Sequence, residues 1–264
     1  MSPGGTAPGD PRRGATRLAV AVALLAAGCT AGAGAPAGGR QLASPAAPAT
    51  TVAVATTVVA TAKAPPGTQV VAAAPRFRGS VAAIDRSTRS RMRWSWRLGC
   101  PVGLADLRLL RVDHWGFDRR VHRGELVVHR DQARLLLGVM QRLFRLGYPI
   151  RRMRLVDDYR ADDDRSMAAN NTSAFNCRPV AGTSRWSEHA YGRAIDVNPV
   201  QNPYVAGRHV SPPAGRRYAD RARRAPGMIH AGDAVVRAFA AAGWAWGGAW
   251  RTARDYQHFS ASGR

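Results

Sequence analysis

Two short stretches of this 264-residue chain concentrate the side chains able to hold a metal ion and move protons. The first is Trp186-Ser187-Glu188-His189-Ala190-Tyr191-Gly192-Arg193-Ala194-Ile195-Asp196-Val197-Asn198-Pro199. The second is Trp246-Gly247-Gly248-Ala249-Trp250, followed by Asp255-Tyr256-Gln257-His258-Phe259. A hydrolytic zinc site uses about three protein ligands from His, Asp, Glu or Cys and keeps one position open to water. His189 and Asp196 supply two such ligands across a turn that Gly192 permits, and His258 supplies a third from a neighbouring strand. Zinc held in this way brings the pKa of water towards about 7. Hydrolysis then needs a carboxylate to take the proton and pass it to the leaving group. Asp255, three residues before His258, suits that role if a short turn rather than a regular strand separates the two. His114, His122, His129, His209 and His230 stand in no such pattern and receive no role.

Written as motifs, the stretches read S-x-H-x-x-G-x-A-x-D and, some sixty residues later, D-x-x-H-F. This double pattern resembles the D-Ala-D-Ala metallopeptidases, the VanX/VanY-like carboxypeptidases together with the L-alanyl-D-glutamate endopeptidases. Ser187, His189, Gly192, Ala194 and Asp196 match the first motif, and Asp255 and His258 match the second. The resemblance spans roughly residues 100–260. It implies that His189, Asp196 and His258 are zinc ligands and that Asp255 is the general base. It also implies an arginine upstream of the first histidine that polarises the scissile carbonyl and stabilises the oxyanion. Arg178, in Phe175-Asn176-Cys177-Arg178, is the candidate, with Arg185 as second choice. The implied substrate is the peptide stem of bacterial peptidoglycan. The implied fold is the Hedgehog/DD-peptidase fold, shared with lysostaphin-type peptidases. VanX/VanY-like enzymes usually carry Glu-x-x-His with Trp before the histidine, whereas this chain has Asp255 and Gln257. That is closer to the endopeptidases cutting between L-Ala and D-Glu, so D,D-carboxypeptidase and endopeptidase action both stay open. A rival from another class is a non-catalytic cell-wall-binding lipoprotein with a structural zinc site. An acid beside the ligands argues against it.

These residues need a frame, and the hydrophobic pattern outlines one. Leu107–Val112 and Glu125–His129 read as strands. Asp131 is the expected cap of an amphipathic helix running to about Leu146, with Leu136, Val139, Met140, Leu143 and Phe144 on its apolar face. Arg151–Val156 reads as a half-exposed strand, Asp157–Ser173 as a solvated loop, and Ala194–Asn198 as a strand. The acids Asp157, Asp158, Asp162, Asp163 and Asp164 lack the glycine and distal glutamate of a standard calcium loop. A second helix is expected from an Asp233 cap through Phe239 to Gly243, and a last strand near His258. Strands and helices do not alternate regularly, so the expected class is α+β, a mainly antiparallel sheet with flanking helices around the zinc site. The aromatic residues flanking the motifs are expected to serve packing more than substrate contact.

Composition divides the chain. Residues 1–28 read as an export signal: Arg12, Arg13 and Arg17, then the apolar run Leu18–Ala27, then Gly28. That run is too short for a permanent membrane span. Cys29 after Ala-Ala-Gly reads as a lipid-attachment site, which would anchor the protein to a membrane in the cell envelope; secretion to the cell wall is the alternative. Residues 29–77, rich in Ala, Thr and Pro, read as a disordered tether. Residues 78–264 form the peptidase domain. With Cys29 set aside, Cys100 and Cys177 remain as a pair, and an oxidising compartment predicts a disulfide between them. The net charge of +22 comes from 39 Lys+Arg against 17 Asp+Glu and suits anionic wall polymers. The arginines form no stripe or motif of a nucleic-acid binder, so no nucleic-acid partner is expected, and a monomer is.

Overall fold

The computed structural model describes residues 75–264. The expected signal, Cys29 and the tether up to residue 74 lie outside the described residues. Among the described residues the class is α+β with mainly antiparallel strands and few helices. No helix among them is long and apolar enough to cross a membrane.

The largest sheet is an antiparallel meander of β1 (Gly79–Ala83), β2 (Leu107–Trp115) and β3 (Val121–His129). Successive side chains of a strand face opposite ways, and both faces of β2 and β3 are apolar. Leu110, Val112, Leu126 and Val128 join the main core, beneath the helix α2 (Ala133–Arg145). Leu107, Leu109 and Val127 face the other way, into a second cluster with Met92, Leu155, Phe175 and Cys177. The apolar face expected of α2 is buried. Its expected cap is not Asp131: the helix begins after Gln132, without a side-chain cap. The Asp131 carboxylate is taken by Arg193, 2.5 Å away, and by the His129 ring, 2.6 Å away. A charged partner across the fold outcompetes neutral helix amides. Phe77 already packs on Phe144, with ring centroids 5.6 Å apart.

The segment expected as a strand and then a loop is built differently. Within 151–156 only β4 (Arg152–Met153) is strand, and it pairs in parallel with β5 (Asn171–Thr172). The Asn171 side chain then bonds both the amide and the carbonyl of Arg154, taking the place of further ladder bonds. Asp157 accepts from the amides of Trp94 and Ser95, just beyond the short helix α1 (Arg86–Arg91). Asp162 caps α3 (Asp163–Ala168) by accepting from Arg165 N at 3.0 Å. Asp157, Asp162 and Asp163 therefore serve as caps and pairings, while Asp158 and Asp164 stay exposed.

Two further antiparallel sheets carry the motifs. One has the order β6 (Ala194–Asp196), β11 (His258–Ser260), β9 (Ala245–Trp246). The other has β10 (Arg254–Asp255) against β7 (Tyr204–Ala206) and β7 against β8 (His209–Ser211). The helix α4 (Ala234–Ala240) begins at Asp233, which accepts from Val236 N, and Phe239 stacks on Phe259 with centroids 3.8 Å apart. Cys100 and Cys177 form a disulfide with 5.8 Å between Cα atoms, tying the second cluster to the segment that enters the first motif.

Candidate metal centre

His189 sits on a tight turn, Glu188–Tyr191, started by Ser187, whose hydroxyl accepts from His189 N. Gly192 ends the turn at φ +66°. A Cβ there would stand 2.6 Å from His129 N and 3.0 Å from Val128 C, so both the conformation and the space require glycine. The chain then enters β6, where Asp196 lies directly across from His258 of β11. Facing residues of antiparallel strands project to the same side of the sheet. The result is a buried cluster: His189 Nε2 is 3.2 Å from Asp196 Oδ2 and 3.3 Å from His258 Nδ1, and His258 Nδ1 is 3.1 Å from Asp196 Oδ1.

The outer ring nitrogens fix which atoms face inward. His189 Nδ1 is 2.6 Å from the Ala174 carbonyl, and His258 Nε2 is 2.9 Å from the Arg264 main-chain oxygen. Both main-chain oxygens accept, so both outer nitrogens carry hydrogen. When neutral, each ring turns a lone pair towards the Asp196 carboxylate. Ala174 is placed for this because Ser173 and Asp196 exchange both main-chain hydrogen bonds. Outer-nitrogen partners of this kind orient metal-binding histidines.

Three acceptors pointing at one spot call for a cation. In the protein alone that cation is a proton. Burial disfavours the charged His258 ring, but its hydrogen bond to Asp196 and that residue's charge win, raising its pKa to about 9. Burial likewise opposes ionised Asp196, but His189 and His258 hold it well below the usual carboxylate range. The same atoms fit a metal. A tetrahedral ion about 2.0–2.2 Å from each ligand needs ligand atoms about 3.3–3.6 Å apart, within a few tenths of an ångström of those present. The three ligand atoms lie within 4.8 Å of one another, and His189, Asp196 and His258 form the one such cluster among the described residues.

Asp255 ends β10, and a two-residue bend, not a continuous strand, carries the chain to His258. Gly247 makes the close packing behind it possible: a Cβ there would stand 2.8 Å from Asp255 O and 3.2 Å from His258 Cβ. Burial and the Asp196 charge push the Asp255 carboxyl up to about 7, outweighing His258 and Gln257. Its Oδ1 is buried and has no hydrogen-bond partner among the described residues.

All these groups line one cleft of about 470 Å³. Arg178 and Arg185 are on its wall, and Arg178 Nη2 is bonded to Asp163 Oδ2 at 2.6 Å. Asp163, whose carboxyl burial pushes above its ordinary range, begins α3; the sequence placed it in the acidic cluster and gave it no part in this site. His209, given no role from the sequence, reaches the cleft from β8. Trp186 and Trp250 line the cleft, while Trp244, Trp246 and Phe259 are core.

Residues 181–261 match the family model described as D-alanyl-D-alanine carboxypeptidase. The matched stretch contains His189, Asp196, Asp255 and His258 and excludes Arg178. The match supports the D-Ala-D-Ala metallopeptidase family, a family of peptidases. No curated protein and no solved structure gives a match.

Proposed function

We propose that the protein is a zinc peptidase hydrolysing the peptide stems of bacterial peptidoglycan. The observation that carries this reading is the convergence of His189 Nε2, His258 Nδ1 and the Asp196 carboxylate, each histidine held by a main-chain oxygen on its far side. Those three residues would hold the ion, which supplies Lewis acidity to a carbonyl and makes water more acidic. Asp255 takes the proton of the attacking water and returns it to the departing amine; a carboxyl poised near neutrality suits both transfers. Arg178, braced by Asp163, is the group we assign to polarise the scissile carbonyl and receive its developing charge. A purely structural metal site has no use for a buried acid opening onto the same cleft, which disfavours the wall-binding rival.

We further propose the Hedgehog/DD-peptidase fold, supported by the antiparallel sheet that carries two of the ligands. Residues 1–28 would direct export to the cell envelope, Cys29 would carry lipid, and residues 29–77 would give the domain reach. The test is a digest of purified peptidoglycan by the full chain, with and without chelator, read by mass spectrometry. Release of terminal D-Ala marks a carboxypeptidase, and cleavage after L-Ala marks an endopeptidase. Absence of any cut bond with zinc restored would overturn the reading.

A further inference from the structure

Trp94 is the one exposed tryptophan among the described residues, at 47% of its surface. That exposure is not looseness. Nearby Met92 and Ser95 are buried, and the amides of Trp94 and Ser95 both donate to Asp157 Oδ1, at 2.8 and 2.9 Å. The Arg93 guanidinium lies over the ring, 5.5 Å from its centroid. A pinned main chain and a cation over one face leave the other face of the ring presented to solvent. The ring borders an open groove of about 790 Å³, within the range of ligand sites. Arg86, Ser87, Ser90, Arg93 and Asp158 line the groove with it, and all of them are exposed. Arg91 also borders it but is bonded to Glu125. Against these arginines stand Asp157, Asp158 and that glutamate, so the groove is close to neutral. A site for a phosphate polymer would gather cations and keep carboxylates out. An aromatic face beside hydroxyls, guanidinium donors and a carboxylate acceptor suits a sugar ring, whose C–H face is apolar and whose edge carries hydroxyls.

Short links join this groove to the cleft. Ser95 O accepts from Cys177 N at 3.0 Å, and Arg97 Nη1 donates to Cys177 O at 2.9 Å. The next residue, Arg178, is on the cleft wall. From Asp158 the chain runs on into α3, whose Asp163 and Asp164 also line the cleft. A residue of extended chain spans about 3.3–3.6 Å, so groove and cleft lie within the length of one peptide stem. We infer that the groove binds the glycan strand of peptidoglycan, with the Trp94 ring stacked on one sugar and Arg86, Arg93 and Asp158 paired with its polar edge. The inference rests on the peptidoglycan reading and adds a second contact to it: the strand is held outside the cleft while its stem enters.

The experiment uses the full chain, glycan strands stripped of their stems, and a free stem peptide that the wild type cuts. Calorimetry should show the wild type binding the stripped strands, and Trp94→Ala should weaken that binding at least about tenfold. The same variant should cut whole peptidoglycan about tenfold less efficiently in kcat/KM, yet cut the free stem peptide as the wild type does. Trp94→Phe keeps an aromatic face and should keep most of the binding, which guards against a variant that merely folds badly. Inorganic polyphosphate is the third probe. A wild type that ignores the stripped strands, or that binds polyphosphate through Trp94 in their place, would overturn the inference. Equal losses for Trp94→Ala on whole peptidoglycan and on the free stem peptide would overturn it as well. These results would leave the peptidase reading intact, whereas strand binding by a protein that cuts no stem would refute that reading alone.

Discussion

The turn between His189 and Asp196 depends on Gly192, and Gly192→Ala measures that dependence. Two costs add. An alanine at φ +66° sits in the left-handed region, at about 1–2 kcal/mol. Its Cβ also meets His129 N at 2.6 Å and Val128 C at 3.0 Å. Both are main-chain atoms of the long central hairpin, which cannot rotate aside as a side chain tip would, and overpacking of this kind costs about 1–3 kcal/mol. The same displacement strains the bond in which Gly192 O accepts from His129 N at 2.8 Å. The expected loss is about 2–5 kcal/mol, a large share of the roughly 5–15 kcal/mol that holds a typical domain. Gly207→Ala is the control. It has φ +56° in the turn between β7 and β8, and nothing lies within 4 Å of its added Cβ, so only the conformational cost of about 1–2 kcal/mol applies. Urea unfolding of the three proteins reads the difference, and zinc affinity should fall in Gly192→Ala alone. Equal losses for the two variants, or a loss below about 1 kcal/mol for Gly192→Ala, would refute the argument that this turn is sterically locked.

Asp255→Asn should lower hydrolysis about 10²–10⁴-fold with zinc stoichiometry unchanged, and full activity in that variant would remove Asp255 as the base. His258 gives a pH signature in the metal-free protein: its pKa rises from 6.5 to about 9 on folding. Its contribution is therefore complete below about 6.5 and lost as pH climbs through about 9, so metal-free stability falls across that window. Zinc must displace the same proton, so zinc affinity rises with pH over that interval, which calorimetry at several pH values would follow. Replacing Cys100 and Cys177 together by Ser should cost about 4.5 kcal/mol on the loop-closure argument for a separation of 77 residues, read as a fall in thermal midpoint.

The site was legible in sequence because its parts are local. His189, Gly192 and Asp196 fall within one turn-and-strand unit, and glycine at a tight turn is a chemical requirement visible in the letters. The helix α2 was legible by its apolar periodicity, and α4 by its Asp233 cap and the glycine that stops it. What sequence hid was partnership at a distance. Asp131 looked like a cap until Arg193, far along the chain, took its carboxylate. Asp157 and Asp163 looked solvated because their partners, Trp94 and Ser95 for the one and Arg178 for the other, lie on other segments. Asn171 ends a strand that its neighbours would have prolonged. His209 carries no motif and reaches the cleft only because β7, β8 and β10 form their own sheet beside the metal centre. The main-chain oxygens of Ala174 and Arg264, which set both histidine tautomers, are invisible to residue type altogether.

The central claim is that His189, Asp196 and His258 together hold one metal ion. Calorimetric titration of zinc into the metal-free protein tests it most directly, with Asp196→Asn and His258→Ala alongside. One zinc per chain is expected for the wild type, with a large loss of affinity in each variant and the fold retained. A wild type that takes up no zinc, or variants that bind it as the wild type does, would contradict it.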